Sequence, residues 1–214
     1  MKIHFYNDKM SYRIYTAIVF DLGNVLIPFD YDIAIRRLNK VEAGLGDRFI
    51  EYYRSHYSVH RDFERGKIPE DVFVDRMLKV IDNKIDAETF KKYYSDIFTV
   101  NEEVVSLLPK LKKNYKLFLL SNTDSIHQKY GWQKYEFLKY CDKLILSHEV
   151  GSVKPEEKIY RAVEAASSLP SEEHFYIDDI KEYVEAAKNI GWTAVQFTGY
   201  GKLIEDLKNY KIIY

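Results

Sequence analysis

The chain has 214 residues, with 33 acidic and 32 basic side chains and a formal net charge of −1, so it offers no electrostatic footprint for nucleic acid or an anionic membrane. Cys141 is the one cysteine, which excludes a disulfide framework and a cysteine metal cluster. Apolar runs are strand-sized, far below the ~20 residues of a membrane span, and Met1 to Met10 lacks a signal-peptide pattern. The expectation is a cytoplasmic protein, monomer or homodimer, with a small-molecule partner. Residues before about Arg13 read as an extension outside the core, with Met10 an alternative start.

The first predicted strand is Thr16-Ala17-Ile18-Val19-Phe20, β-branched and aromatic. It ends on Asp21, with Gly23 in the turn behind it. A carboxylate at the end of a buried strand is poorly solvated and costly without a partner. Asp21 is therefore either a turn aspartate or the centre of a site. Four helical stripes follow, through Tyr31, Ala34, Leu38 and Val41; Phe49, Tyr52, Tyr53 and His56; Phe73, Met77, Val80 and Ile81; and Phe90, Tyr93, Tyr94 and Ile97. Pro69 suits a helix start, and Asp86 or Asn101 suits a cap. From Asn101 onward strands alternate with helices. Helices are predicted over 102–113, 125–140, 155–168, 181–189 and 202–209, and strands over 116–120, 143–146, 174–177 and 193–197.

That alternation predicts a Rossmann-like α/β core, a parallel sheet with helices on both faces. Residues 1–30 and 101–214 form it, and residues 31–100 form a helical-bundle cap inserted after strand one. In a parallel sheet every strand's carboxyl end lies on one edge, where ligands bind. Asp21, then Ser121-Asn122-Thr123, then Lys154, then Asp178-Asp179 follow the successive strands. Each has a plainer reading: a turn, a helix cap or a solvated lysine. Four in this order suit phosphoryl transfer. Two acids from different strands can hold one Mg²⁺, an ammonium neutralises phosphoryl charge, and an aspartate nucleophile divides hydrolysis into two steps.

The ordered set resembles the four motifs of the haloacid dehalogenase superfamily. More narrowly, Asp21-Leu22-Gly23-Asn24-Val25, Leu120-Ser121-Asn122-Thr123, His127, Lys154-Pro155 and Phe63-Glu64-Arg65-Gly66-Lys67-Ile68 resemble the bacterial α-D-glucose-1-phosphate phosphatase subgroup. The resemblance implies a Mg²⁺-dependent phosphatase acting on a small phosphorylated metabolite, a sugar phosphate such as a hexose 1-phosphate. It implies Asp21 as nucleophile and metal ligand, and the Gly23 carbonyl and Asp179 as further ligands, with Asp178 a ligand or a partner behind them. Ser121, Asn122 and Lys154 would hold the phosphate.

The chain departs from the family pattern twice. Gly23 stands where most of these phosphatases carry a general acid, commonly worth 10²–10⁴ in rate, which favours an easy leaving group. Tyr183 stands where an Asp or Asn is usual. Two alternatives follow. A 2-haloacid dehalogenase needs no metal and lacks the acid pair. A weak phosphate-binding member of the fold would bind without turnover. Motif order and length both count against a signalling receiver. Specificity is expected from His60, Arg61, Glu64 and Arg65, between two predicted cap helices, and from His127.

Overall fold

The computed structural model describes residues 15–214; the expected amino-terminal extension and the Met10 start lie outside them. Strand β1 (Ala17–Phe20) is buried along its whole length because it lies at the centre of a five-stranded parallel sheet. The order is β3 (Lys143–Leu146), β2 (Lys116–Ser121), β1, β4 (His174–Asp178), β5 (Thr193–Gln196). Ile18 and Phe20 face one helical layer, with Leu107, Leu111 and Leu207. Ala17 and Val19 face the other, with Ile159, Val163 and Val184. Burying each large apolar side chain contributes about 1.5–3 kcal/mol, so both layers hold the central strand.

Register places the site. Phe20 pairs with Ile177 on one side and Leu119 on the other, so Asp21 lies level with Asp178 and Leu120. The chain builds β2 and β3 on one side of β1, then crosses to β4 and β5. The crevice between β1 and β4 is therefore the switch point where open α/β sheets bind ligands.

Residues 31–100, where four helices are expected, hold five: α1 (Asp32–Val41), α2 (Leu45–Ser55), α3 (Tyr57–Glu64), α4 (Glu70–Val80) and α5 (Ala87–Ser95). The additional helix, α3, buries His60, Phe63 and Glu64. Two of those three are titratable, so apolar periodicity alone reads the segment as a joint. His60, Arg61 and Glu64 lie on this helix, not between helices. The bundle has its own core of Phe49, Phe63, Phe73, Met77 and Phe90, joined by Ile126 from beyond β2. Asp86 caps α5 through the Thr89 N–H at 2.7 Å, and Asn101 caps α6 (Glu102–Val105).

Two other predicted helices differ. The 102–113 helix breaks into α6 and α7 (Leu108–Leu111), where Pro109 supplies no N–H to the ladder. The 125–140 helix is a π-helical turn, His127–Trp132, followed by a 3₁₀ turn, Glu136–Tyr140. Gly131 there is wedged against Phe98 and the Ser95 carbonyl. The 155–168 helix is α9 (Glu157–Ser167); a further short helix, α8 (Ser147–Val150), precedes it, and the Lys154–Pro155 bond between the two is cis. The last two helices are α10 (Lys181–Asn189) and α11 (Tyr200–Asn209).

Candidate active site

The strand ends converge. Asp21 follows β1 and anchors its N–H on the Ile177 carbonyl at 2.9 Å. The turn behind it closes through Val25 N–H to the Gly23 carbonyl at 2.7 Å, and Asn24 takes a left-handed conformation that asparagine tolerates. The Gly23 carbonyl keeps a second lone pair for a ligand. A Cβ at Gly23 would stand 3.2 Å from Phe29 Cε1. The Phe29 ring thus covers the place an acidic side chain would take.

Lys154 is buried and donates from Nζ to Asp21 Oδ1 at 2.8 Å and Asp178 Oδ2 at 2.7 Å. Asp21 Oδ1 also accepts from the Leu22 N–H at 2.7 Å. Asp178 is committed to the protein. Its Oδ2 further accepts a very short bond from Tyr176 Oη, and its Oδ1 accepts from the Ile180 N–H at 2.8 Å. Asp179 is half-buried, with Asn24 Nδ2 on its Oδ2 at 3.2 Å. Carboxylate oxygens of Asp21, Asp178 and Asp179 lie within 4.8 Å of one another.

The electrostatics are unbalanced. Burial, joined by the Asp178 and Asp179 charges, outweighs the Lys154 ammonium and pushes Asp21 up to about 8. Burial, with the neighbouring Asp178 charge, also raises Asp179. For Lys154, burial opposes the charge, but Asp178 and Asp21 hold the ammonium protonated. One ammonium does not offset three carboxylates. Hard oxygen donors with a surplus of negative charge fit a Mg²⁺ ion, and Asp21, Asp179 and the Gly23 carbonyl are the residues that would hold it.

Ser121 ends β2 with a buried hydroxyl at the cavity wall. Asn122 lines the same cavity, and its side chain meets the backbone of Lys154. Its Oδ1 accepts from the Lys154 N–H at 2.7 Å and its Nδ2 donates to the Lys154 carbonyl at 3.1 Å. The carboxamide therefore brackets the backbone of Lys154. Above these residues is a cavity of about 180 Å³ lined by core and bundle together. Its bundle wall is Tyr31, Tyr53, Tyr57, His60, Arg61 and Glu64. Burial opposes ionisation of Glu64, but His60 and Arg61 hold it below the usual carboxylate range.

Of the expected specificity residues, His60, Arg61, Glu64 and His127 reach this cavity, and Arg65 turns instead to Glu156 of the core. Both nitrogens of His127 are occupied, by Asp124 Oδ2 at 3.0 Å and the Tyr94 carbonyl at 3.2 Å. Tyr57, Tyr176, Phe29 and the contacts of Tyr183 were not legible from residue type. The helical spacing of Tyr57, His60, Arg61 and Glu64 was the available signal.

Residues 18–197 match the family described as haloacid dehalogenase-like hydrolase, and the chain belongs to it. The chain is 27% identical over 188 residues to a D-ribitol-5-phosphate phosphatase of Bacteroides thetaiotaomicron, covering 84% of this chain and 90% of that one. It is 26% identical over 186 residues to a phosphorylated carbohydrates phosphatase of Thermotoga maritima, covering 82% and 81%. A HAD family enzyme from Bacteroides thetaiotaomicron, solved with magnesium and inorganic phosphate, superposes with a TM-score of 0.76 at 26% identity, covering 85% and 93%.

Proposed function

We propose that this haloacid dehalogenase-like hydrolase is a Mg²⁺-dependent phosphatase that cleaves a small sugar or polyol phosphate, hexose 1-phosphates included, through an aspartyl phosphate on Asp21. The observation that carries the reading is the charge surplus at the strand ends: Asp21, Asp178 and Asp179 around a single Lys154. A bound Mg²⁺ supplies the missing positive charge and neutralises phosphoryl oxygens.

The chain's own residues do the rest. Lys154 and the Leu22 N–H hold Asp21 Oδ1, which leaves Oδ2 for the phosphorus. An Asp21 Oδ2–P bond forms as the bond from phosphorus to the leaving oxygen breaks. Water then attacks the phosphorus, releasing inorganic phosphate and the free carboxylate. Gly23 donates no proton, so the leaving oxygen takes one from solvent. An anomeric oxygen, with its low pKa, needs that proton least.

The cavity supports a small, neutral, hydroxyl-bearing leaving group. Its ~180 Å³ is below the ~300–1,000 Å³ of drug-sized sites, which disfavours a nucleoside. Tyrosine rings offer apolar faces, and the ionised Glu64 has spare lone pairs for hydroxyls. The names of two of the relatives, a polyol-phosphate and a carbohydrate-phosphate phosphatase, point the same way. The test is a panel of sugar 1-phosphates, polyol phosphates, nucleotides and 2-haloacids, with Mg²⁺ and with chelator, beside Asp21→Asn. The reading expects chelator-sensitive phosphate release from the first two classes and none from Asp21→Asn. Chelator-resistant halide release, or equal turnover by Asp21→Asn, would overturn it.

A further inference from the structure

The carboxyl end of α3 and the turn after it pack against the loop that carries Lys154. Arg61 Nη2 donates a very short bond to the Lys154 carbonyl and another to Tyr183 Oη at 3.3 Å. Arg65 donates from Nη2 and Nε to Glu156 Oε1 at 2.6 and 3.0 Å. The other Glu156 oxygen accepts from Ser152 Oγ at 2.8 Å and the Val153 N–H at 3.3 Å, which folds the loop onto itself. Gly66, at φ +70°, brings the turn so close that a Cβ would stand 2.3 Å from the His148 carbonyl oxygen. Only glycine permits that approach. Phe63-Glu64-Arg65-Gly66 is thus a docking element: Glu64 faces the cavity, Arg65 grips the loop, and Gly66 lets the backbones meet.

From the core side the same loop is held by Asn122, whose Nδ2 also reaches Tyr183 Oη at 3.3 Å. The Tyr183 ring lies 5.0 Å from Lys154 Nζ. Tyr183 therefore receives Arg61 and Asn122 on its hydroxyl and offers its ring to the catalytic ammonium.

We propose that Arg61, Arg65 and Tyr183 are positioning residues that seat the Lys154 loop, so that the ammonium is in place only when the helical bundle is docked. This rests on the phosphatase reading. It also reverses the expectation from sequence for Arg61. Its loss slows chemistry on any phosphate ester rather than weakening recognition of one leaving group.

The experiment compares wild type with Arg61→Gln, Arg65→Gln and Tyr183→Phe, each as the full chain with Mg²⁺. It reads kcat and KM for p-nitrophenyl phosphate and for the best substrate of the panel, and inorganic phosphate binding by calorimetry. Arg65 lies outside the cavity lining, so its variant cannot act through the substrate. Expected for Arg61→Gln is a fall in kcat of about 10–100-fold on both substrates, the scale of a misplaced catalytic group, with weaker phosphate binding. Arg65→Gln and Tyr183→Phe should move the same quantities less. Unchanged kcat on the aryl phosphate and unchanged phosphate affinity in all three would overturn the proposal, as would a KM increase confined to the panel substrate. If Arg61→Gln fails to fold, the other two variants decide. If the wild type turned over no phosphate ester, the phosphatase reading would fail while phosphate calorimetry still judged the positioning.

Discussion

Two buried polar clusters flank the cavity, and they differ in charge balance. At the strand ends, three carboxylates share one ammonium, and burial with carboxylate repulsion lifts Asp21 to about 8. Between bundle and core, a chain runs from Glu64 through His60, Tyr94 and Asp124 to His127, with links of 3.0–3.4 Å. There each acid meets a cationic or donor partner, and Arg61 adds a 3.0 Å bond to Glu64. Burial alone would raise Asp124, but the His127 imidazole and backbone donors hold it at about 2. Burial by itself therefore does not mark a site. The cluster with a surplus of one sign is the one built to receive a cation and an anionic ligand; the balanced one fastens the bundle to the core.

The sharpest way to break this comparison is Lys154→Met. Removing one partner from a buried ion pair costs about 3–5 kcal/mol, and here it leaves Asp21 and Asp178 facing each other. Urea unfolding without metal should show that loss, Mg²⁺ should recover part of it, and phosphatase turnover should vanish. A variant as stable as wild type without Mg²⁺ would contradict the imbalance.

Asp124→Asn is the matched change in the balanced cluster. It should cost roughly 1–3 kcal/mol, the range for leaving buried partners unsatisfied, with kcat on an aryl phosphate unchanged. Because Asp124 is depressed, its stabilisation is present above the ordinary carboxylate value and is lost as pH falls through about 2. The stability gap between wild type and variant should shrink on acidification over that window. A gap independent of pH would remove the ion pair from the account.

A smaller effect separates the clusters by pH near neutrality. Without metal, folded Asp21 keeps its proton between the ordinary value of 3.8 and about 8, while the unfolded chain has released it. The folded state then binds more protons, so Asp21 lowers stability as pH rises through that window. Mg²⁺ must displace the proton, so the rise in melting temperature caused by Mg²⁺ should grow with pH up to about 8. Asp21→Asn should flatten both trends. Thermal melts across this range, with and without Mg²⁺, check it; equal slopes in wild type and Asp21→Asn would count against the cluster.

Most of the strand-end site was legible because a parallel sheet converts order in the chain into adjacency in space. Asp21, Ser121 and the acid pair stand at the ends of strands, register sets Asp21 level with Asp178, and Lys154 reaches both acids from the loop after α8. The bundle wall was legible only in part: His60, Arg61 and Glu64 stood out as candidate contacts, but the helix that carries them did not. α3 buries His60 and Glu64 on its inward face, so hydrophobic periodicity missed the helix. Asn122 and Tyr183 could be named from motif positions, but their hydrogen-bond partners depend on how the loop around the cis Lys154–Pro155 bond is folded. Spacing in the sequence does not encode that.

The proposed reaction passes a phosphoryl group through Asp21. Wild-type enzyme mixed with Mg²⁺ and a phosphate ester, quenched in acid during turnover and mapped by peptide mass spectrometry, tests it directly. The expected result is a phosphorylated peptide containing Asp21, absent from Asp21→Asn and from chelator-treated enzyme. Phosphate release at full rate with no phosphorylated Asp21 peptide at any quench time, or with the label on another residue, would contradict it.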